Sequence, residues 1–272
     1  MLDQVEPGEI AQGVEWAPRT LHAAGAEWRY WETGTGDPLV IFHGGGGVDL
    51  APAYAALGSN ARVLYFELPG FGTTPIDPAR TSFAEVAELM AEVLAAAGLE
   101  RFALLGISFG GAVAAWLAAR VPERIARLVL VAPAALRHGS RFPDVPPERI
   151  EAALRAHPDR GLPEALAPEL VAAQMQVVGR IWSGSDEEAL RTALHGLDVP
   201  TLVLYGTLDG LMPPESGREY KRLLPRCTFA LVHDSAHEVA RDRPEAFADL
   251  VSDFLARADA HVVANVNRVI NP

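Results

Sequence analysis

Three residues in this sequence have the types and the chain order of a serine nucleophile and its proton-transfer partners. Ser108 lies in the segment GISFG (residues 106–110), which fits a G-x-S-x-G pattern. Asp209 and His237 follow it, each just beyond a short apolar run. A serine hydroxyl becomes a good nucleophile when an imidazole accepts its proton and a carboxylate orients that imidazole. The three residues therefore predict acyl transfer with Ser108 as nucleophile, His237 as base and Asp209 as acid.

The surroundings of Ser108 strengthen this prediction. The apolar run at 102–105 comes before the motif, and the helix-prone run AVAAWLAARV follows it. A strand, a sharp turn and a helix would raise the hydroxyl above the edge of a sheet, where free N–H groups of the helix favour negative charge. In such a turn the residues two before and two after the serine lie too close to other atoms for side chains, so Gly106 and Gly110 have a steric reason.

A second glycine-rich segment, HGGGG at residues 43–47, follows the apolar run 39–41. Glycines let a main chain approach a ligand closely, as an oxyanion hole requires. We predict the N–H groups of Gly45 and Phe109 as the two donors, with Gly44 as the alternative to Gly45. The Gly-Lys-Ser/Thr ending of a P-loop is missing, and no G-x-G-x-x-G opens a helix. His43 is expected to hold this loop through its ring nitrogens.

Other acids and histidines fit the two partner positions less well. His233 is the main alternative base, but it belongs to the end of a predicted strand, whereas His237 lies in the turn that follows. Asp198 precedes its strand and would lie at the opposite edge of the sheet. Asp234 and Glu238 are too close in sequence to His237 to orient its ring easily.

The elements that must position these residues alternate between short strands and longer helices. The predicted central strands are 39–43, 62–68, 102–107, 128–131, 201–205 and 229–232, after an antiparallel pair at 20–23 and 27–31. The predicted helices are 82–97, with Ser82 and Glu85 as a capping box, 112–120 and 244–257. This alternation predicts an α/β fold, with a mostly parallel sheet covered by helices on both faces.

The alternation stops after Pro133 and resumes near residue 198. We therefore predict one core made of residues 1–133 and 198–272, with residues 134–197 inserted as a helical cap. Three large apolar residues of the cap, Phe142, Met175 and Trp182, are predicted to contact substrate. The tail 259–272 has no evident role, and it leaves a homodimer contact open.

Composition excludes several classes of protein. The formal net charge of −12, with no basic cluster, argues against nucleic acid as a partner. The single cysteine, Cys227, excludes a cysteine metal cluster and an internal disulfide. The uncharged stretch 102–119 has the length of a membrane span, but its glycines and serine favour strand, turn and helix. The acidic N-terminus lacks a signal pattern. We therefore expect a cytoplasmic protein that binds a small molecule and needs no metal or other cofactor.

Five segments together resemble the α/β-hydrolase superfamily, in its cap-bearing serine branch. They are GTGDPLVIFHGGGG, RVLYFELPGFGTTP, GISFGG, TLVLYGTLDGLMPP and DSAHEVARDRPEAFADLVSDFL, between about Gly34 and Leu255. The resemblance implies the α/β-hydrolase fold and the roles already given to Ser108, Asp209 and His237. Relatives more often carry aspartate at the position of Glu67, which we interpret as structural. The segment around His237 also lacks the tryptophan that often follows the corresponding histidine in carbon–carbon bond hydrolases of ring-cleavage pathways.

The expected activity is hydrolysis of a small to medium carboxylic ester or lactone through an acyl-enzyme on Ser108. Two alternatives within the class are carbon–carbon bond hydrolysis of a vinylogous diketone and aminopeptidase-type cleavage. An alternative from another class is a catalytically silent binding protein with the hydrolase fold, although such a binder has no need to keep all three residues.

Overall fold

The computed structural model describes residues 15–136, 145–160, 166–257 and 269–270. The strands within these ranges are β1 (Ala17–Ala23), β2 (Ala26–Thr33), β3 (Pro38–Phe42), β4 (Arg62–Phe66), β5 (Phe102–Ile107), β6 (Ile125–Val131), β7 (Thr201–Gly206), β8 (Cys227–Val232) and β9 (Val269–Ile270). The α-helices are α1 (Pro52–Ala56), α2 (Phe83–Ala96), α3 (Ser108–Arg120), α4 (Ile150–Leu154), α5 (Pro168–Ser183), α6 (Glu187–Leu194), α7 (Ser216–Leu223), α8 (Val239–Asp242) and α9 (Pro244–Arg257).

The described strands form one sheet in the spatial order β1-β2-β4-β3-β5-β6-β7-β8-β9. The six central strands, β3 to β8, run parallel, whereas β1, β2 and β9 pair antiparallel with their neighbours. The chain adds β4 on one side of β3 and then β5 on the other. In sheets of this kind, ligands bind beyond the carboxyl ends of the strands at such a reversal. The loops after β3 and β5 are therefore the expected place for a site.

Alternating side chains of the central strands enter two apolar cores, one on each face of the sheet. In β3, Val40 and Phe42 belong to the core that α2 and α3 cover. Leu39 and Ile41 point to the other core, which α1 and α9 cover. A strand that is buried on both faces must be apolar throughout, which explains the continuous apolar runs in the sequence. The predicted α/β class and its mostly parallel sheet are confirmed.

The predicted helix boundaries agree with the structure where caps define them. Ser82 caps α2 by accepting a hydrogen bond from the Glu85 N–H, and the Glu85 carboxylate accepts one from the Ser82 N–H. Helix α9 spans the predicted range 244–257. Helix α3 begins earlier than predicted, at Ser108 itself, because its first turn is made by the motif's own residues.

The uncharged stretch 102–119 forms strand β5 and helix α3, as predicted. Across the described ranges, no helix combines the length and the apolarity needed to cross a membrane. Strand β9 is a feature that the sequence did not predict. It belongs to the tail 259–272, and Val269 and Ile270 pair with Val232 and Leu231 at the edge of the sheet.

Candidate active site

The turn that carries Ser108 is a strained connection between β5 and α3. Ser108 has a φ of +50°, which is unusual for a residue with a side chain. A Cβ on Gly106 would lie 2.4 Å from the carbonyl oxygen of Gly110, and one on Gly110 would lie 2.4 Å from that of His43. The predicted steric reason for both glycines is therefore confirmed. A Cβ on Gly111 would lie 2.8 Å from Pro133, so glycine here lets α3 approach the segment just after β6.

His43 holds the glycine-rich loop after β3. Its Nδ1 lies 2.7 Å from the carbonyl oxygen of Gly44, and its Nε2 accepts a hydrogen bond of 2.9 Å from the Leu68 N–H. These two contacts require a proton on Nδ1 and none on Nε2. Burial lowers the pKa of His43 to about 4, so the ring stays neutral near pH 7. The predicted supporting role of His43 is confirmed.

The glycine-rich loop lies directly beside the predicted nucleophile. The N–H of Gly110 donates to the carbonyl oxygen of His43 at 3.0 Å, which joins the loop to the first turn of α3. A Cβ on Gly44 would lie 3.5 Å from the Cβ of Ser108. In the part of the chain that the structure describes, neither the Gly45 N–H nor the Phe109 N–H donates to a backbone carbonyl. Both groups are therefore available to an oxyanion.

Asp209 and His237 form a buried hydrogen-bonded pair. The Nδ1 of His237 lies 2.8 Å from Oδ2 of Asp209, and the side chains are 6% and 0% exposed, respectively. The other carboxylate oxygen of Asp209 accepts hydrogen bonds of 2.9 Å from the N–H groups of Leu211 and Met212. With the carboxylate fixed at both oxygens, Nδ1 carries the proton and Nε2 is left to accept one.

The surroundings of His237 act on its pKa in opposite directions. Burial lowers the pKa, whereas the charge and hydrogen bond of Asp209 and the charge of Glu238 raise it. The acids prevail, so the pKa lies above its usual value. A carboxylate beside a buried imidazole favours the protonated form, which is the form that a base takes after it accepts a proton.

The structure therefore contains two preassembled halves of the predicted site. Ser108 lies against the glycine-rich loop, and His237 is bonded to Asp209. Among the described residues, the hydroxyl of Ser108 makes no hydrogen bond, and this includes a bond to His237. A nucleophile-to-base contact is often long in an enzyme without substrate and shortens when substrate binds.

The loops of Asp209 and His237 are joined to each other and to the segment around α4. The N–H groups of Thr207 and Leu208 donate to the carbonyl oxygens of Val232 and Ser235 at 3.0 and 2.8 Å. The N–H groups of Gly210 and Glu238 donate to those of Ala153 and Leu154 at 3.2 and 2.8 Å, respectively. Both loops thus depend on backbone that lies far away in sequence.

Asp242 and Arg155 extend this network. The buried carboxylate of Asp242 accepts hydrogen bonds from the N–H groups of Ala156, His157 and Ala236, at 3.0, 2.9 and 2.7 Å. Arg155 makes two hydrogen bonds, of 2.6 and 3.0 Å, with the carboxylate of Glu238. The contacts of Ala156 and His157 with Asp242, and of Arg155 with Glu238, were not predicted, because they join positions more than eighty residues apart.

Two of the alternatives, His233 and Asp198, are exposed and bonded to other residues. His233 is exposed, and its carbonyl oxygen accepts a hydrogen bond from Arg243. Asp198 is exposed before β7 and pairs with Arg226. The Oε1 of Glu67 accepts hydrogen bonds from the N–H groups of Thr73 and Thr74 and from the Thr74 hydroxyl, so its predicted structural role is confirmed.

Helix α5 lies against the glycine-rich loop. A Cβ on Gly45 would lie 3.4 Å from Cγ2 of Val178 and 3.9 Å from Cε of Met175. Met175 is 41% exposed and therefore lies between the loop and solvent. Trp182 packs against the core that includes Phe109. The third residue predicted to contact substrate, Phe142, lies outside the described residues.

Two polar residues of α5 were missed by sequence reasoning. Gln174 is buried beside Gly47, and Arg180 has two buried guanidinium nitrogens, Nε and Nη2, without a hydrogen bond among the described residues. The helical spacing of α5 could have indicated that one of these two polar residues is buried. Nothing in the pattern indicated what each side chain would face.

Comparison with known proteins agrees with this geometry. The family model described as α/β hydrolase fold matches residues 37–186, which is more than half of the chain. The 2-hydroxymuconate semialdehyde hydrolase of Pseudomonas sp. (strain CF600) is 28% identical, covering 90% of this chain and 96% of its own. The pimeloyl-[acyl-carrier protein] methyl ester esterase of Aliivibrio salmonicida (strain LFI1238) is 27% identical, covering 86% and 98%.

A solved structure shows the same fold. The crystal structure of a membrane phospholipase A, described as a bacterial virulence factor, superposes with a TM-score of 0.76 over 89% of this chain and 86% of its own, at 24% identity. The two curated relatives are named as a hydrolase and an esterase, so the prediction of a hydrolase is confirmed. The chain belongs to the α/β hydrolase fold family.

Proposed function

We propose that the chain hydrolyses a small to medium carboxylic ester or lactone through an acyl-enzyme on Ser108. In this proposal His237 is the general base, Asp209 orients it, and the N–H groups of Gly45 and Phe109 bind the oxyanion, with Gly44 as the alternative to Gly45. Residues 134–197 act as a cap, in which Met175, Trp182 and Phe142 contact the substrate.

One observation carries this proposal. The buried pair of His237 and Asp209 lies beyond β7 and β8, at the same sheet edge as Ser108, whose positive φ holds it above the end of β5. A strained residue is kept where its geometry serves a function. A histidine that is oriented through Nδ1 and has Nε2 free is suited to accept the proton of a serine.

The reaction would run in two halves. The Oγ of Ser108 attacks the carbonyl carbon of the substrate while Nε2 of His237 takes the hydroxyl proton. The carbonyl oxygen of the substrate becomes an oxyanion, which the two N–H groups bind. The tetrahedral intermediate then collapses, His237 protonates the leaving alcohol, and an acyl group stays on Ser108. Water, activated by the same imidazole, attacks the acyl-enzyme and releases the acid.

Labelling with a fluorophosphonate probe tests the nucleophile. We expect the wild-type chain to be labelled and the Ser108→Ala variant to be neither labelled nor active on p-nitrophenyl esters. Ser59→Ala is the control, because Ser59 is an exposed serine outside the site, and this variant should be labelled like the wild-type chain. Labelling of Ser108→Ala at the wild-type rate would refute the proposal, and so would failure of the wild-type chain to label.

Carbon–carbon bond hydrolysis is the second candidate, and Arg180 is the observation that favours it. Two nitrogens of its guanidinium are buried and, in the described ranges, have no hydrogen-bond partner. A buried guanidinium is stabilised by an anion, and it matches a carboxylate in geometry. The relative from Pseudomonas sp. (strain CF600) is named for a muconate semialdehyde, and a muconate carries a carboxylate. The residue after His237 is Glu238 rather than the expected tryptophan, which argues the other way.

Two substrates of different charge separate these candidates. We expect an Arg180→Met variant to keep its kcat/KM on neutral p-nitrophenyl esters. If the chain is a carbon–carbon bond hydrolase, the same variant should lose at least about tenfold in kcat/KM on an anionic ring-cleavage dienoate. A wild-type chain that cleaves the esters but not the dienoate would exclude the second candidate.

The expected cytoplasmic location and the homodimer stay predictions.

A further inference from the structure

Asp49 and Arg241 form a salt bridge between two loops of the candidate site. Asp49 lies two residues beyond Gly47, the last residue of the glycine-rich loop, and Arg241 lies in α8, four residues after His237. The Nε of Arg241 donates to Oδ2 of Asp49 at 2.7 Å, and its Nη2 donates to Oδ1. The side chains of Asp49 and Arg241 are 26% and 13% exposed, respectively. A guanidinium that meets both oxygens of a carboxylate fixes the direction as well as the distance between the two groups.

Asp49 is closely connected to the proposed oxyanion donors. The glycine-rich loop closes on itself through a hydrogen bond of 3.2 Å from the Gly47 N–H to the carbonyl oxygen of Gly44. The main chain of Asp49 hydrogen-bonds the hydroxyl of Tyr65, a buried residue of β4. Because Gly44 lies beside Ser108, a shift of Asp49 would displace the donor loop next to the nucleophile.

Arg241 is as closely connected to the proposed base. Its N–H donates to the carbonyl oxygen of Glu238 at 2.9 Å, so one helical turn separates it from His237. Burial lowers the pKa of Arg241, but the hydrogen bond and charge of Asp49 and the charge of Glu238 raise the pKa above its usual value. The guanidinium therefore stays charged, and the salt bridge is kept near pH 7.

Packing alone is enough to hold α1 and α8 together. Tyr54 of α1 belongs to the same buried apolar core as Val239 and Ala240 of α8. Apolar contacts are non-directional and tolerate small shifts, whereas hydrogen bonds weaken steeply when their geometry changes. The salt bridge therefore adds direction to a contact that packing already holds.

We propose that Asp49 and Arg241 are positioning residues, which hold the glycine-rich loop and His237 at the separation that the reaction needs. Ser108 and this loop are one half of the site, His237 and Asp209 are the other half, and the salt bridge joins the two. The Nε2 of His237 must reach the Oγ of Ser108 as a base and the leaving alcohol as an acid. A displacement of about 1 Å can lower such a rate about 10²-fold. This inference rests on the proposed ester hydrolysis at Ser108.

Two esters of the same acid test the inference. The phenolate of p-nitrophenyl butanoate leaves without a proton, whereas the alcohol of ethyl butanoate needs a proton from His237. A displaced imidazole should therefore slow the ethyl ester more. In Arg241→Met we expect kcat/KM to fall at least about tenfold further on the ethyl ester than on the p-nitrophenyl ester. Asp49→Asn, which keeps the size but not the charge, should change the ratio in the same direction. The double variant should change it no further than the larger single change, because the two residues form one contact.

Arg257→Met is the matched control. Arg257 lies on α9 and also pairs with an aspartate, Asp253, but it is exposed, so this change should leave the ratio at its wild-type value. The ratio of the two kcat/KM values does not depend on the fraction of the chain that is folded. If Arg241→Met yields no folded protein, Arg241→Lys replaces it. Lysine keeps the charge but cannot make the two-bonded contact, so a smaller change in the same direction is expected.

The outcomes keep the inference apart from the proposed function. An unchanged ratio in the Asp49 and Arg241 variants would overturn the positioning role. An equal loss on the two esters would also overturn it, because the salt bridge would then serve stability alone. Additive changes in the double variant would show that the two residues do not act through one contact. If the wild-type chain is neither labelled by the fluorophosphonate probe nor active on either ester, the proposed function itself fails.

Discussion

Two parts of the segment between β6 and β7 contact the site in different ways. Residues 153–157, at the end of α4 and just beyond it, are hydrogen-bonded to the loops of Asp209 and His237 through both main chain and side chains. Helix α5 meets the glycine-rich loop through carbon atoms of Met175 and Val178 and through the amide of Gln174. Hydrogen bonds fix direction, whereas apolar contacts tolerate small shifts.

Because of this difference, we expect the two parts to have different roles. The first part holds the loops of Asp209 and His237, the proposed proton-transfer partners, and is expected to contribute to the stability of the fold. The second part borders the loop of the proposed oxyanion donor Gly45. Changes near residues 153–157 should therefore alter kcat, the pH profile or stability, and changes on α5 should alter KM and selectivity.

The largest expected effect concerns Asp209 and His237, the pair whose loops residues 153–157 hold. Asp209→Asn keeps the size of the side chain but removes the charge that orients and stabilises His237. We expect kcat to fall by about 10³–10⁴-fold, and the acid limb of the kcat/KM profile to move to lower pH, because Asp209 raises the pKa of His237. Asp198→Asn, at an exposed aspartate, is the control and should change neither. Steady-state kinetics between pH 5 and pH 9 would measure both quantities.

The next effect concerns stability. Asp242→Ala leaves three backbone N–H groups without their acceptor. We expect the free energy of unfolding to fall by about 3 kcal/mol and Tm by about 10 °C. Thermal and urea unfolding would measure the loss, with Asp249→Ala at an exposed position of α9 as control. Equal stability of the two variants would mean that the Asp242 network contributes little.

A smaller effect is predicted for the ion pair beside His237. In Arg155→Met the carboxylate of Glu238 loses its cation and acts more strongly on the imidazole. Because a negative charge raises the pKa of His237 and the base must be neutral, the acid limb of kcat/KM should move to higher pH.

Three further variants check that this shift is electrostatic. Glu238→Gln should move the limb in the opposite direction, Arg155→Lys should restore part of the wild-type profile, and Arg149→Met, at an exposed arginine, should have no effect. A shift of the same sign in Arg155→Met and Glu238→Gln would contradict the electrostatic explanation.

The smallest effect is expected on α5. Met175 contacts the glycine-rich loop but is 41% exposed, so Met175→Ala should change KM by a few-fold and the free energy of unfolding by less than about 0.5 kcal/mol. Val171→Ala, one turn earlier and equally exposed, should leave KM unchanged. A loss of kcat in Met175→Ala without a change in KM would contradict the division between the two parts.

Much of this site was predictable because its signals are local. Glycine is required at 106 and 110 because a side chain there would collide with the backbone of Gly110 or His43. Apolar runs in the sequence mark the strands that end shortly before each proposed site residue. The capping box at Ser82 and Glu85 lies within four residues, so it could be read directly.

The contacts that were missed are distant in sequence or weak in pattern. The bonds from Asp242 and Glu238 to residues 154–157 depend on how two segments meet in space, which periodicity does not record. Helix α8 has only four residues, and β9 has two, which is too short for any repeat to be recognised. The polar character of Gln174 was visible, but its burial depends on the loop that α5 covers.

The positive φ of Ser108 also has a consequence for the history of this position. A residue with a side chain is disfavoured in that conformation by about 1–2 kcal/mol, whereas glycine adopts it freely. In the proposed reaction Ser108 is the nucleophile, so stability and catalysis favour different residues at position 108. In a descendant that no longer needs the reaction, mutation would be free to replace this serine by glycine without harm to the fold. A glycine at position 108 in a related sequence would indicate that this relative has lost the proposed reaction and kept the fold.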